Sequence, residues 1–160
     1  MFRNQKSDTL AIALVAAIVI ALDQYSKNLI QKLAENGGGY YVHLVVPRLL
    51  RWTYDQNTHG AFGLFGSNGV MLVAMAVVVL VIFWMGFRDA AHKSRLVRIA
   101  FGMIVGGAIG NIIDRVHLHY VVDFIDLYRI WPNIFNVADA CITIGVVLLI
   151  LSSLVTRRRR

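Results

Sequence analysis

The chain has 160 residues, of which 58% are hydrophobic and 16% are charged, and its formal net charge is +7 at pH 7. A soluble domain of this length leaves roughly a third of its unfolded surface exposed after folding, which is too much for so apolar a composition. These totals exclude an ordinary soluble domain and indicate a single membrane-embedded domain over residues 1–160. The single cysteine, Cys141, excludes an internal disulfide.

Four apolar stretches are long enough to cross a hydrocarbon core of about 30 Å, which takes about 20 helical residues. The first is apolar over Leu10–Leu22 and follows Arg3 and Lys6, a pattern that also describes a cleavable signal peptide. Asp23 and Lys27 argue against cleavage, because they continue a helical pattern at i, i+4 spacing. We predict membrane helices over about Thr9–Leu33, Gly69–Phe87, Leu96–Val116 and Ile134–Val155.

Lysine and arginine lie beside these stretches, which indicates a membrane orientation signal rather than a nucleic-acid partner. Ten of the sixteen lie on one predicted side: Arg3, Lys6, Arg88, Lys93, Arg95, Arg98 and Arg157–Arg160. The opposite loops contain Arg48, Arg51 and Arg129. We therefore expect both termini to be cytoplasmic and residues 35–68 and 117–133 to face outward.

The first outward loop has the composition of a small β-structure. Residues Tyr40–Tyr54 are rich in β-branched and aromatic side chains, with a turn candidate at Pro47-Arg48. Gly37–Gly39 precede them as a flexible joint. This pattern predicts a β-hairpin between the first two membrane helices.

Ionisable side chains within membrane helices are costly, roughly 2.5–3.5 kcal/mol each on insertion scales, and therefore suggest function. Here such groups gather at the outward ends of three predicted helices and in one loop. The first helix has Asp23 and Lys27, the third Asn111, Asp114 and Arg115, the fourth Asn136 and Asp139, and the last loop Asp123. All lie near one membrane depth, so they can converge on one site.

Close helix packing would help that convergence. Gly102, Gly106 and Gly110 form a G-x-x-x-G-x-x-x-G ridge on the third helix, with Gly107 beside it. Small residues at this spacing let helix backbones approach closely. The ridge is explained by packing alone and implies no chemistry of its own.

Two facing aspartates cannot both ionise, so they share a proton and can act as a general acid and a general base. From the residues alone the pairing stays open among Asp114, Asp123, Asp126 and Asp139. Intramembrane hydrolysis and proton-coupled transport through a small channel or transporter fit equally well at this point. Cys141 reads as an ordinary small core residue.

Five short motifs in order resemble the lipoprotein signal peptidases, also called signal peptidase II, over nearly the whole chain. They are L-D-Q-Y-S-K (Leu22–Lys27), N-T-H-G-A-F (Asn57–Phe62), G-G-A-I-G-N-I-I-D-R (Gly106–Arg115), V-V-D-F-I (Val121–Ile125) and F-N-V-A-D-A (Phe135–Ala140). The resemblance implies four membrane helices, a small outward β-cradle and a short interfacial helix that includes Ala61–Phe65.

The resemblance also implies an aspartic endopeptidase of the bacterial inner membrane whose catalytic pair is Asp123 and Asp139, without metal or cofactor. Its implied substrates are diacylglyceryl-modified prolipoproteins in the membrane lipid, cut just before the lipidated cysteine, and we expect a monomer that binds no nucleic acid. The implied supporting residues are Asn57, Asn111, Arg115 and Asn136 for substrate binding or carboxylate orientation, and Asp23, Lys27 and Asp114 for structure.

Four further points bear on this interpretation. His59 stands where the family usually has glycine, which weakens any role assigned to that turn. His117 and His119 with Asp123 form a possible zinc set, although histidines in a watery loop are more often only solvated. Asp126 is expected to be a solvated loop charge. The transporter alternative is disfavoured because the helix pairs lack an inverted repeat.

Overall fold

The computed structural model describes residues 5–59 and 69–157, and side chains within residues 8–59, 69–87 and 94–154. Its elements are α1 (Gln5–Asn36), β1 (Val42–Val46), β2 (Leu50–Asn57), α2 (Gly69–Lys93), α3 (Arg95–His117), β3 (Val121–Asp126) and α4 (Val137–Arg157). Each of the four helices contains a stretch long and apolar enough to cross a membrane. The four predicted helices are confirmed, although α4 begins three residues later than expected.

Helix α3 is the centre of the bundle and packs against the other three helices. A Cβ atom added at Gly106 would lie 2.7 Å from the backbone oxygen of Ala16 in α1, and one at Gly107 would lie 2.5 Å from that of Ala138 in α4. Real side chains do not fit at such distances, so glycine at both positions lets α3 approach α1 and α4. The predicted role of the ridge in packing is confirmed.

Buried charges also join α1 to α3 at the end opposite the sheet. Arg98 Nη1 lies 3.0 Å from Asp8 Oδ1, and both side chains are buried. Arg98 was interpreted from the sequence only as an orientation signal, whereas the structure shows that its charge is paired inside the bundle.

The extramembrane part is a three-stranded antiparallel sheet in the order β1-β2-β3. The predicted hairpin is present, and Gly38 and Gly39 have φ of +74° and +91° in the turn that leads to it from α1. Residues 117–133 were predicted to form a loop. That prediction was incomplete, because these residues contain β3. The short interfacial helix expected around Ala61–Phe65 lies outside the described residues.

The expectation that Asp126 is a solvated loop charge was wrong. Asp126 ends β3, is 5% exposed and accepts a hydrogen bond from Arg51 Nε of β2 at 2.6 Å. The Arg51 guanidinium also lies 4.9 Å from the centre of the Tyr128 ring. This cross-strand ion pair fixes the end of β3 against β2.

Candidate active site

Asp139 lies in the first turn of α4, and the start of that helix holds its carboxylate. The side-chain oxygen of Asn136 accepts a hydrogen bond from the backbone N–H of Asp139 at 2.9 Å, and the backbone N–H of Asn136 donates to Asp139 Oδ2 at 3.4 Å. This reciprocal arrangement resembles a capping box. Asn111 of α3 donates from Nδ2 to Asp139 Oδ1 at 2.8 Å. Both carboxylate oxygens are therefore fixed.

Asp123 lies within β3 and is 1% exposed. Its Oδ1 accepts a hydrogen bond from Asn136 Nδ2 at 2.6 Å, and its Oδ2 accepts one from Asn57 Nδ2 at 2.8 Å. Asn136 therefore bonds to both Asp123 and Asp139. One asparagine at the junction of β3 and α4 brings the two predicted carboxylates into a single site.

The surroundings of Asp123 favour its protonated form. Burial, followed by repulsion from Asp139, raises the pKa of Asp123 from its usual 3.8 to about 7, against the hydrogen bonds from Asn57 and Asn136. A carboxyl group with this pKa holds its proton for about half of the time near neutral pH. The pair can therefore carry one proton between its two members under physiological conditions.

Behind the pair, Lys27 of α1 is a buried cation with three partners on α1 and α3. Its Nζ lies 2.8 Å from Asp23 Oδ2 and 3.0 Å from Asp114 Oδ2, and it donates to Asn111 Oδ1 at 3.0 Å. Because Asn111 also holds Asp139, the position of Lys27 is linked to that of the carboxylate pair. The predicted i, i+4 pair of Asp23 and Lys27 is present.

The two acids paired with Lys27 also hold the backbone beside each aspartate of the pair. Asp23 Oδ1 accepts from the backbone N–H of Ala138 at 2.9 Å, next to Asp139. Asp114 Oδ2 accepts from the backbone N–H of Val122 at 3.1 Å, next to Asp123. The buried network thus fixes the start of α4 and the middle of β3 relative to α1 and α3.

Both carboxylates line a cleft of about 1200 Å³. Arg115 lines it too and donates from Nη1 to the backbone oxygen of Asn111 at 3.3 Å. Arg115 was expected to bind substrate or to orient a carboxylate, and within the described residues it forms no salt bridge. The apolar wall includes Ile142 and Ile144 of α4, and Ile144 is 49% exposed on the outside of the bundle.

Two polar residues near the site were not identified from the sequence. Gln24 donates from Nε2 to Asp114 Oδ1 at 2.8 Å, and Asp55 lines the cleft. Gln24 lies within the first sequence motif, which could have marked it as a residue of the site, whereas no sequence motif marked Asp55. His117 and His119 do not join Asp123 in a metal-binding group, since the described residues contain no cluster of three or more potential ligands.

Comparisons with known proteins assign the chain to a family. The sequence profile of the family described as "Signal peptidase (SPase) II" matches residues 15–155. A lipoprotein signal peptidase from Shouchella clausii is 40% identical over 146 residues, covering 91% of this chain and 93% of the relative. One from Moorella thermoacetica is 38% identical over 136 residues, covering 85% and 87%.

Solved structures show the same likeness. A bacterial membrane enzyme determined by the in meso method at 2.3 Å resolution has a TM-score of 0.82 and 30% identity, over 93% of this chain and 90% of that one. A second, at 1.9 Å resolution, has a TM-score of 0.77 and 31% identity, over 89% and 92%. The matched residues include most or all of each helix of the bundle and both candidate carboxylates, so the chain is a multi-pass membrane protease that belongs to the signal peptidase II family.

Proposed function

We propose that this protein is an aspartic endopeptidase that removes the signal peptide from diacylglyceryl-modified prolipoproteins, with Asp123 and Asp139 as its catalytic pair. The observation that carries the proposal is that Asn136 donates to both carboxylates at the edge of one cleft, from its side-chain amide to Asp123 and from its backbone N–H to Asp139. The ionised member of the pair takes a proton from water, which attacks the scissile carbonyl carbon. The protonated member hydrogen-bonds to the carbonyl oxygen, and a proton then passes to the leaving nitrogen.

The surrounding amides support this chemistry by holding the carboxylates still. Asn111 and Asn136 restrain Asp139, and Asn57 and Asn136 restrain Asp123. Pre-set geometry of this kind lowers the reorganisation needed in the transition state. Within the described residues Arg115 forms no salt bridge. Its guanidinium group is therefore available to bind a carbonyl or carboxylate group of the substrate.

The position of the site suits a substrate anchored in lipid. The cleft reaches from the sheet, where Asp123 lies, to the outer surface of α4 at Ile144. A lipidated cysteine can remain in the bilayer while its peptide bond meets water at the carboxylates. We place both termini in the cytoplasm of a bacterium and the site at the outer face of its inner membrane, because the basic residues favour that orientation.

The pH dependence of cleavage follows from the raised pKa of Asp123. As the pH rises through about 7, the pair loses its shared proton and both carboxylates become charged. We expect the cleavage rate to fall above this pH by about tenfold per pH unit, because only the singly protonated pair is active. Initial rates in detergent from pH 5 to 9 measure this, and a rate that stays constant to pH 9 would contradict it.

The proposed function is tested by incubating the purified protein in detergent with a diacylglyceryl-modified prolipoprotein and with the same precursor lacking lipid, each with and without a chelator. We expect mass spectrometry to find cleavage before the lipidated cysteine in the first substrate and none in the second. Equal cleavage of both substrates would exclude the lipid requirement. Loss of cleavage in the chelator would exclude a metal-independent aspartic mechanism.

A further inference from the structure

Asp55 of β2 lies beside the catalytic pair in the sheet. It is directly opposite Asp123 of β3 in the antiparallel register, and Asn57 is two residues further along its strand. Residues directly opposite each other have Cβ atoms about 4.5–5.5 Å apart and share one face of the sheet. Asp55, Asn57 and Asp123 accordingly line the same cleft.

The carboxylate of Asp55 differs from the other carboxylates around the site. Asp23, Asp114 and Asp126 are buried and each has an ion-pair partner. The side chain of Asp55 is exposed, and within the described residues no hydrogen bond or ion pair engages it. It stabilises no neighbour in the described structure, so it is available to a ligand in the cleft.

The charges of the cleft favour a cationic ligand at this position. With His59 in its neutral form, the charges that line the cleft are those of Arg115, one positive, and of Asp55, Asp123 and Asp139. When the catalytic pair shares one proton it contributes a single negative charge, which Arg115 balances. Asp55 then leaves one negative charge in excess.

Peptide hydrolysis creates such a cation. Water adds across the neutral amide, the C–N bond breaks, and near neutral pH the products are a carboxylate and an ammonium group, since an α-amino group has a pKa of about 7.7–8.0. The carboxylate belongs to the signal peptide, which continues into the membrane. The ammonium belongs to the lipidated cysteine, and in the proposed orientation the chain that follows it leads away from the membrane on the side of the sheet that contains Asp55.

We propose that Asp55 binds the α-ammonium group of the lipidated cysteine after cleavage and so acts as a product-binding residue. The inference rests on the proposed function, because the ammonium group exists only if the bond before that cysteine is cut. Asp55 takes no part in the proton transfers of the catalytic pair. Its removal should therefore leave the chemical step intact and weaken the binding of one product.

The test is product inhibition measured at about pH 6.5, where an α-amino group is protonated. The two inhibitors are a diacylglyceryl-cysteine peptide with a free amino group and a matched peptide in which hydrogen replaces that group. We expect the wild type to bind the ammonium peptide about two- to fivefold more tightly, the range of an exposed ion pair. Asp55→Asn should lose most of this preference, and Asp55→Glu should restore it.

Glu35→Gln is the matched control, because Glu35 is an exposed carboxylate at the end of α1 that does not line the cleft. It should keep the wild-type preference. The role of Asp55 is excluded if Asp55→Asn keeps the preference for the ammonium peptide. It is also excluded if the wild type cleaves the precursor but shows no preference for the ammonium peptide. The proposed function stands in both cases. If the wild type does not cleave the precursor at all, the proposed function itself fails.

Discussion

Replacing either Asp123 or Asp139 by asparagine is expected to lower kcat for cleavage of a lipidated precursor by more than about 10³-fold, because one member of the pair can then no longer transfer a proton. Asparagine keeps the size of the side chain and one oxygen acceptor. The neighbours that hold the pair, Asn111 and Asn136, can therefore stay close to their positions. Substrate binding, measured as KM or by direct binding, should change by less than about tenfold.

Asp126→Asn is the matched control for these variants. Asp126 lies three residues beyond Asp123 in β3 and does not line the cleft. Asparagine at this position still accepts a hydrogen bond from Arg51, so activity should stay within about tenfold of the wild type. Near-normal cleavage by Asp123→Asn or Asp139→Asn would show that the altered aspartate is structural.

Lys27→Met is expected to lower the free energy of unfolding by about 3–5 kcal/mol, the usual effect of removing one partner of a buried ion pair. Methionine fills a similar volume but leaves Asp23 and Asp114 buried without their cation. Asn111 also loses the donor to its side-chain oxygen, so the restraint on Asp139 weakens. We therefore expect activity to fall as well, even at temperatures where the variant is folded.

Lys32→Met provides the comparison, since Lys32 is an exposed residue of α1, five positions further along the helix. This change should alter stability by less than about 0.5 kcal/mol. Thermal unfolding in detergent and the cleavage rate at a fixed lower temperature measure the two effects separately. Equal melting temperatures for the two lysine variants would mean that the buried network does not stabilise the bundle.

Much of this architecture was predictable because each feature rests on a local signal. Membrane helices are recognised by length and apolar composition, and the hairpin after α1 by its β-branched residues and turn. Convergence of Asp23, Lys27, Asn111 and Asp139 was expected from their common depth. Selecting Asp123 and Asp139 as the pair, however, required the family motifs, and the family match gives no support to the transporter alternative.

What could not be predicted depends on contacts between distant segments. Strand β3 is buried on both sides, so V-V-D-F-I-D lacks the alternation that identifies a half-exposed strand. The ion pair of Asp126 with Arg51 joins residues far apart in sequence, and it appears only once β2 and β3 are in register. The placement of Asp55 opposite Asp123 depends on the same register. Asn136 was predicted to lie within the fourth helix, whereas it precedes the helix, caps it and bonds to both aspartates.

The most direct test of the central claim, that Asp123 and Asp139 act together on one bond, is the affinity of a lipopeptide whose scissile amide is replaced by a hydroxyethylene group. Its hydroxyl group mimics the attacking water in the tetrahedral intermediate and must contact both carboxylates. We predict that the wild type binds it at least about 10²-fold more tightly than a matched amide substrate, and that either single asparagine variant loses this advantage. Equal affinity of the wild type and both variants would contradict the catalytic pair.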